Sequence, residues 1–253
     1  MIYVIIQARM GSTRLPGKVM LHLSGKPVLW HMVERLKHSK LIDKIIIATS
    51  VEKENDSIRA FCQEHVIPCY SGSENDVLDR YYRAAKSNPV LPSDIIIRIT
   101  ADCPLIDPEV IDRTIAALQI DNADYASNVI IPTYPDGLDC EVMTFAVLEE
   151  MWTNAKLQSE REHVTLYIRN HKEQFKLVNV ENDEDLSPLR WTLDEQRDFD
   201  LIKIIYDNLY TEDTLFLMND VINLLKEYPD ISSINVDISR NEGLTKSLEN
   251  DEL

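Results

Sequence analysis

The residues with the clearest chemistry lie in the first eighteen positions, where Gln7-Ala8-Arg9-Met10-Gly11-Ser12-Thr13-Arg14-Leu15-Pro16-Gly17-Lys18 follows the apolar run Ile2-Tyr3-Val4-Ile5-Ile6. Arg9, Arg14 and Lys18 place three cations beside backbone N–H groups and the Ser12 and Thr13 hydroxyls, a donor set suited to polyphosphate. Glycines in the same stretch allow a turn and a close backbone approach to a ligand. The spacing is not that of a Walker A loop. Five residues separate Gly11 from Gly17, and Val19 rather than Ser or Thr follows the lysine. A dinucleotide fingerprint is also absent, since it needs a third glycine and a tight strand-to-helix turn. The competing role is a basic surface loop, but open α/β sheets bind ligands where such a loop leaves the first strand.

Carboxylates form the second set. Asp102 follows the apolar run Ile95-Ile96-Ile97-Arg98-Ile99-Thr100 and precedes Pro104, which places it at the C-terminal edge of a strand beside the Gly11 loop. That is a position for a hard cation such as magnesium, which takes oxygen ligands together with substrate phosphates; a turn or helix-capping aspartate is the alternative. Asp194, at the end of Leu189-Arg190-Trp191-Thr192-Leu193, repeats the pattern, with helix capping a stronger rival. Asp139 and Glu141 alternate with Leu138 and Cys140 and so share one strand face, open to a polar substrate, a metal or water. Glu160-Arg161-Glu162-His163 reads as a charged helix start, and His163 could also hold an anionic sugar.

The elements that must position these groups alternate strand and helix. Strands are expected at 2–6, 45–50, 66–70 and 95–100, and helices at 28–36, around Ile58 to Cys62 and from Val77. This order implies a mostly parallel sheet with right-handed crossovers and helices on both faces. From about residue 123 to 175 an antiparallel excursion is expected, with strands near Tyr125–Val129 and Cys140–Met143 around the turn Tyr134-Pro135-Asp136-Gly137. Helices at 145–155, 162–170, 198–206 and 219–227 and a strand at 175–180 complete the reading. The chain is expected to be one domain over residues 1–240, with a polar stretch from Ile238 that frays into a flexible acidic tail at 241–253.

At 253 residues the chain can bury one substantial core. A net charge of −17 and a pI near 4.7 argue against a broad nucleic-acid or anionic-membrane surface. Cys62, Cys69, Cys103 and Cys140 show no paired spacing and suit free thiols in a reducing cytoplasm. No stretch reaches membrane-spanning length. A soluble cytoplasmic protein is expected.

Four stretches together resemble one family. Gln7-Ala8-Arg9-x-Gly-Ser-Thr-Arg-Leu-Pro-Gly-Lys18, Thr100-Ala-Asp102-x-Pro-Leu-Ile106, Asp136-Gly-Leu-Asp-x-Glu141 with Glu160-Arg-Glu-His163, and Arg190-x-Thr-Leu-Asp194 are similar to the SpsF-type cytidylyltransferases of spore-coat polysaccharide. These are related to the enzymes that make CMP-sialic acid and CMP-Kdo. The resemblance covers nearly the whole chain and implies a Rossmann-like, GT-A-like α/β nucleotidyltransferase fold, CTP and an acidic or phosphorylated sugar as substrates, magnesium, and a homodimer built by the excursion. Arg9, Arg14, Lys18 and Asp102 would then carry catalysis. Gln7, Ala8, Arg9, Gly11, Ser12, Arg14, Lys18 and Thr100 would bind the nucleotide, with Thr49, Ser50, Ser71, Gly72 and Asp76 framing base and ribose. Asp139, Glu141, Arg161, His163 and Arg190 would face the sugar, and Asp102 and Asp194 would hold the metal. Two other classes fit less well. A glycosyltransferase would usually carry an Asp-x-Asp motif, which is not found at Asp102, and a non-catalytic nucleotide-binding module would have lost a loop cation or a metal carboxylate.

Overall fold

The computed structural model describes residues 1–238 and Arg240. In chain order the strands are β1 (Ile2–Gln7), β2 (His22–Leu23), β3 (Lys26–Pro27), β4 (Lys44–Ser50), β5 (Cys69–Gly72), β6 (Ile95–Thr100), β7 (Tyr125–Ser127), β8 (Glu141–Thr144) and β9 (Leu177–Asn179). The helices are α1 (Val28–Leu36), α2 (Asp56–Glu64), α3 (Val77–Lys86), α4 (Pro108–Asp121), α5 (Phe145–Asn154), α6 (Gln158–Glu162), α7 (Leu166–Asn170), α8 (Gln196–Leu209), α9 (Met218–Glu227) and α10 (Pro229–Ser232). No helix of the described residues is long and apolar enough to cross a membrane.

Seven strands form one sheet in the order β5-β4-β1-β6-β8-β7-β9, while β2 and β3 make a separate hairpin. Strands β5, β4, β1 and β6 are mutually parallel. Gln7 pairs with both Ala48 and Thr100, so these strands end level and release their loops at one edge. Strand β8 runs antiparallel to β6, with Glu141 opposite Arg98. Its first residue therefore lies near the edge where the parallel strands end, and the connection over 128–140 leads into that edge. The antiparallel excursion is thus continuous with the main sheet, and residues 134–137 are not a hairpin turn.

Alternation along β1 divides the core. Val4 and Ile6 face a layer built with Leu36, Ile58, Ile111, Leu201 and Leu224, whereas Tyr3 and Ile5 face one built with Leu78, Tyr81, Leu148 and Ile168. Both faces are covered, as a sheet of continuous Ile and Val runs requires. Each such side chain contributes about 1.5–3 kcal/mol when fully buried.

Several elements differ from the sequence reading. Helix α4 was not anticipated, although Asp107 accepts from the Glu109 N–H as N-cap and Pro108 opens the first turn. The edge strand starts later than 66, because Val66 is left-handed (φ 55°) and the ladder to Ile47 begins at the Pro68 carbonyl. The helix expected over 162–170 breaks at Val164 (φ 46°), where the Thr165 side chain turns inward to Glu141. Trp191–Leu193 is not a strand of the sheet. Apart from one isolated bridge between Asp136 and Arg190 it crosses the edge as an extended segment, so Asp194 does not follow a sheet strand. Arg240 is held by acids of the sheet edge rather than frayed. The acidic tail expected over 241–253 lies outside the described residues.

Candidate active site

The loop after β1 is shaped by its own backbone bonds. Met10 donates its N–H to Asn55 Oδ1 (2.8 Å), Gly17 donates back to the Met10 carbonyl (3.0 Å), and the Ser12 hydroxyl accepts from the Leu15 N–H (3.3 Å). Gly17 is left-handed (φ 69°), a conformation glycine adopts without a Cβ clash, and it opens the 3₁₀ turn Lys18–Met20. The turn delivers Lys18 inward. Its Nζ lies 2.9 Å from Asp102 Oδ2 and 2.6 Å from Asp194 Oδ1. Arg14 reaches Asp194 (3.1 Å) and Glu195 (3.5 Å), and Arg9 reaches Glu74 (3.0 Å). Each of the three loop cations thus faces a carboxylate from elsewhere in the chain.

Asp102 and Asp194 converge because two backbone segments are clipped together: Leu193 N–H and the Thr192 hydroxyl both donate to the Asp102 carbonyl, at 2.7 and 3.3 Å. Burial opposes ionisation of Asp102, but the Lys18 ammonium and a Thr100 hydrogen bond outweigh it and hold the carboxyl at about 2. Burial likewise works against the charge on Lys18, and Asp102 and Asp194 reverse that, raising its pKa. Two carboxylates aimed at one cation form an all-oxygen donor set beside the loop after β1, and the chemistry of that set would suit a hard divalent ion such as magnesium.

Two cavities meet at this point. One, of about 350 Å³, is lined by Gln7, Arg9, Gly11, Ser12, Thr13, Arg14 and Lys18 with Thr100, Asp102 and Asp194. The other, of about 540 Å³, also reaches Arg14, Thr100, Asp102 and Asp194, then extends to Arg98, Asp136, Asp139, Glu141, His163, Arg169, Arg190 and Arg240, with Val129, Ile130 and Pro132 as apolar wall.

The larger cavity has a charged floor. Glu141 is ion-paired with Arg98, receives the Tyr125 and Thr165 hydroxyls, and has Arg169 at 3.4 Å. Burial alone would raise its pKa, yet Arg98 and Arg169 bring it down to about 2. One carboxylate therefore serves two guanidiniums, and the surplus is positive; Arg98 Nε is buried with no hydrogen-bond partner among the described residues. Opposite lie Asp136 and Asp139. Arg240 pairs with Asp139 (2.7 Å) and approaches Asp136 (3.7 Å). Burial and the neighbouring Asp139 charge push Asp136 up to about 7 despite Arg240 and Arg190, and burial also raises Asp139. Arg190 is buried and spans three acids, with Asp198 at 2.9 Å, Asp136 at 3.2 Å and Asp194 at 3.5 Å. Gly137 makes this approach possible: at φ 109° a Cβ there would sit 2.5 Å from the Trp191 carbonyl carbon.

Of the residues singled out in the sequence, Gln7, Arg9, Gly11, Ser12, Arg14, Lys18, Thr100, Asp102 and Asp194 line the smaller cavity, and Asp139, Glu141, His163 and Arg190 line the larger. Ala8, Thr49, Ser50, Ser71, Gly72 and Asp76 line neither. Ala8 is buried, Thr49 and Ser50 are buried beneath the edge, and Ser50 accepts from Asn55 Nδ2 (2.7 Å), which in turn supports Met10. Arg161 is also apart from both cavities. It clasps Asp76, the N-cap of α3, through three bonds of 2.6–3.1 Å and donates to the Trp152 carbonyl. Sequence reasoning gave no site role to Arg98, Arg169 or Arg240, nor to Asp136, although Asp136 opens one of the family motifs. A charge inside the Ile95–Ile99 run marked Arg98; Arg240 carried no local signal.

A family model described as cytidylyltransferase matches residues 3–241. An uncharacterized protein of Methanocaldococcus jannaschii is 40% identical over 241 residues, covering 92% of this chain and 94% of that protein. The spore coat polysaccharide biosynthesis protein SpsF of Bacillus subtilis is 35% identical over 239 residues, covering 92% and 97%. Among solved structures, a cytidylyltransferase from Leptospira borgpetersenii superposes with a TM-score of 0.86 at 32% identity, covering 95% of this chain and 99% of that one. The match in sequence extends over the same loop, carboxylates and second cavity that the geometry brings together, and the chain belongs to the cytidylyltransferase family.

Proposed function

We propose that this protein transfers the cytidylyl group of CTP to an acidic or phosphorylated sugar, releasing pyrophosphate and forming a nucleotide-sugar for surface polysaccharide or glycoconjugate synthesis. The observation that carries the reading is the shared boundary of the two cavities at Arg14, Thr100, Asp102 and Asp194. A triphosphate in the loop cavity and a sugar in the larger one would meet there. The surplus of guanidinium over carboxylate around Glu141 supports an anionic substituent on the sugar.

In this reaction a sugar oxygen attacks the α-phosphorus in line, a new O–P bond forms, the bond to the bridging oxygen breaks, and pyrophosphate departs with that oxygen; a hydroxyl nucleophile gives up its proton to water, whereas a sugar phosphate attacks through an ionised oxygen that carries none. Arg9, Arg14 and Lys18 bind phosphate oxygens and stabilise the charge that grows on the leaving group. Asp102 and Asp194 would hold magnesium, which when bound supplies further neutralisation of that charge. Arg98, Arg169 and His163 orient the sugar, and the walls of the larger cavity limit water at the reacting centre. Assembly as a homodimer goes with the reading.

The test is pyrophosphate release with each of the four nucleoside triphosphates, paired with sialic acid, 3-deoxy-octulosonic acid and phosphorylated sugars. Release with CTP and one anionic sugar is expected. If no pair releases pyrophosphate while a nucleotide-sugar is consumed in glycosyl transfer, the reading fails.

A further inference from the structure

Lys18 Nζ occupies the point on which Asp102 and Asp194 converge, at 2.9 and 2.6 Å. The lysine is largely enclosed, with 12% of its side chain exposed, so this is a seated ammonium and not a surface contact. Asp194 is further surrounded: Arg14 lies at 3.1 Å and Arg190 at 3.5 Å, giving one carboxylate three cationic neighbours. A divalent ion placed on the same two carboxylates would stand within a few ångströms of the ammonium, where like charges repel strongly in a site screened from bulk water. Ammonium and metal therefore exclude one another.

Two of those three cations, Lys18 and Arg14, belong to the loop cavity and can turn to phosphate oxygens. The third cannot, because Arg190 is held from behind by a bidentate pair with Asp198 (both 2.9 Å). We propose that Lys18 is an internal counter-cation that holds the metal carboxylates in place of the divalent ion and moves to the triphosphate as the ion takes its seat. This inference rests on the cytidylyl-transfer reading. Its consequence is an ion exchange in which phosphate accepts the loop cations while Asp102 and Asp194 accept the metal. Neither half is favourable alone, since metal without nucleotide must displace the ammonium, and nucleotide without metal leaves Asp102 facing Asp194 with only Arg190 still beside the pair. Nucleotide and ion thus load together. Lys18 is a positioning residue for the metal as well as a phosphate ligand.

Binding of Mn²⁺, read from the loss of the free-ion paramagnetic signal in the absence of nucleotide, tests the exchange. Lys18→Met, which removes the competing charge, is expected to bind Mn²⁺ at least about tenfold more tightly than the parent, while Lys18→Arg, which keeps it, stays weak. Lys18→Met binding no more tightly than the parent overturns the proposal. Should Lys18→Met not fold, labelling of the parent decides: saturating Mn²⁺ should raise acetylation of the Lys18 amine by acetic anhydride several-fold, measured by peptide mass spectrometry, with Asp102→Asn, which should abolish the rise, as the control. Unchanged labelling overturns the proposal. Pyrophosphate release by the parent keeps the two readings separate, since release from CTP and sugar without any Lys18 effect on Mn²⁺ removes the exchange and leaves cytidylyl transfer standing.

Discussion

The backbone N–H of Leu193 donates to the carbonyl of Asp102 at 2.7 Å, and this bond sets Asp194 beside Asp102 although Leu193 lies 91 residues further along the chain than Asp102. It joins the end of a central parallel strand to an extended segment that is no part of the sheet. The carboxylate pair is therefore as rigid as the sheet edge on one side and as the buried Arg190–Asp198 anchor on the other.

The pair predicts a separation of turnover from nucleotide binding. Asp102→Asn keeps the shape of the side chain and removes the charge, so it should lower turnover on the order of a hundredfold while CTP still binds. Asp194→Asn should act in the same direction and less severely, because retained waters fill part of a magnesium shell. Turnover measured against magnesium concentration decides the matter. Parental rate and metal dependence in both variants would return these aspartates to a structural role.

Arg14→Ala should weaken CTP binding by about 1.5–3 kcal/mol through loss of a charged bond to phosphate. Its side chain is exposed at the boundary of the two cavities, so the melting temperature should barely move. Calorimetric titration with magnesium and CTP is the check, and an unchanged affinity would contradict the loop assignment.

Geometry separates Arg161 from His163. Arg161→Ala should cost about 1–3 kcal/mol of stability by freeing Asp76 and the start of α3, with both KM values near the parent's. His163→Ala, at the wall of the larger cavity, should raise KM for the sugar far more than for CTP. A sugar KM that rises with Arg161→Ala at parental stability would place Arg161 in contact with substrate after all.

The buried Glu141 and the partly buried Asp136 give opposite pH dependences. Glu141 is depressed to about 2, so its contribution to stability is complete above its ordinary value of 4.5 and is lost as pH falls through about 2. Asp136 is raised to about 7 from 3.8, so the folded state loses stability as pH rises from about 4 through 7. Asp136→Asn should accordingly flatten stability between pH 5 and 8 and compare best with the parent at pH 8. Urea denaturation at the two pH values reads this directly. A parallel loss for parent and variant would show that Asp136 ionises freely.

Much of the fold was legible because its signals are local. Runs such as Ile2–Ile6 and Ile95–Ile99 are short and rich in β-branched residues, as strands covered on both faces are, and the helical spacing from Val28 to Leu36 leaves one face for the sheet. Helix α4 carried an equally local signal in Asp107-Pro108 that was overlooked. The break at Val164 had none, since a β-branched residue with φ 46° is held there by the tertiary bond from Thr165 to Glu141.

By itself the sequence determined that three cations and two hydroxyls leave the first strand on one loop, and that an acid follows the strand ending at Thr100, because strand periodicity and loop composition are properties of consecutive residues. Only the tertiary structure decided what those groups face. Asp194 meets Lys18 and Asp102 through a backbone bond between distant segments; Arg161 is spent on Asp76; Arg240 closes on Asp139 from the far end of the chain. Charge pairing across a folded surface depends on distances that no local pattern encodes, and in this protein it is those distances that set two cavities side by side around one pair of carboxylates.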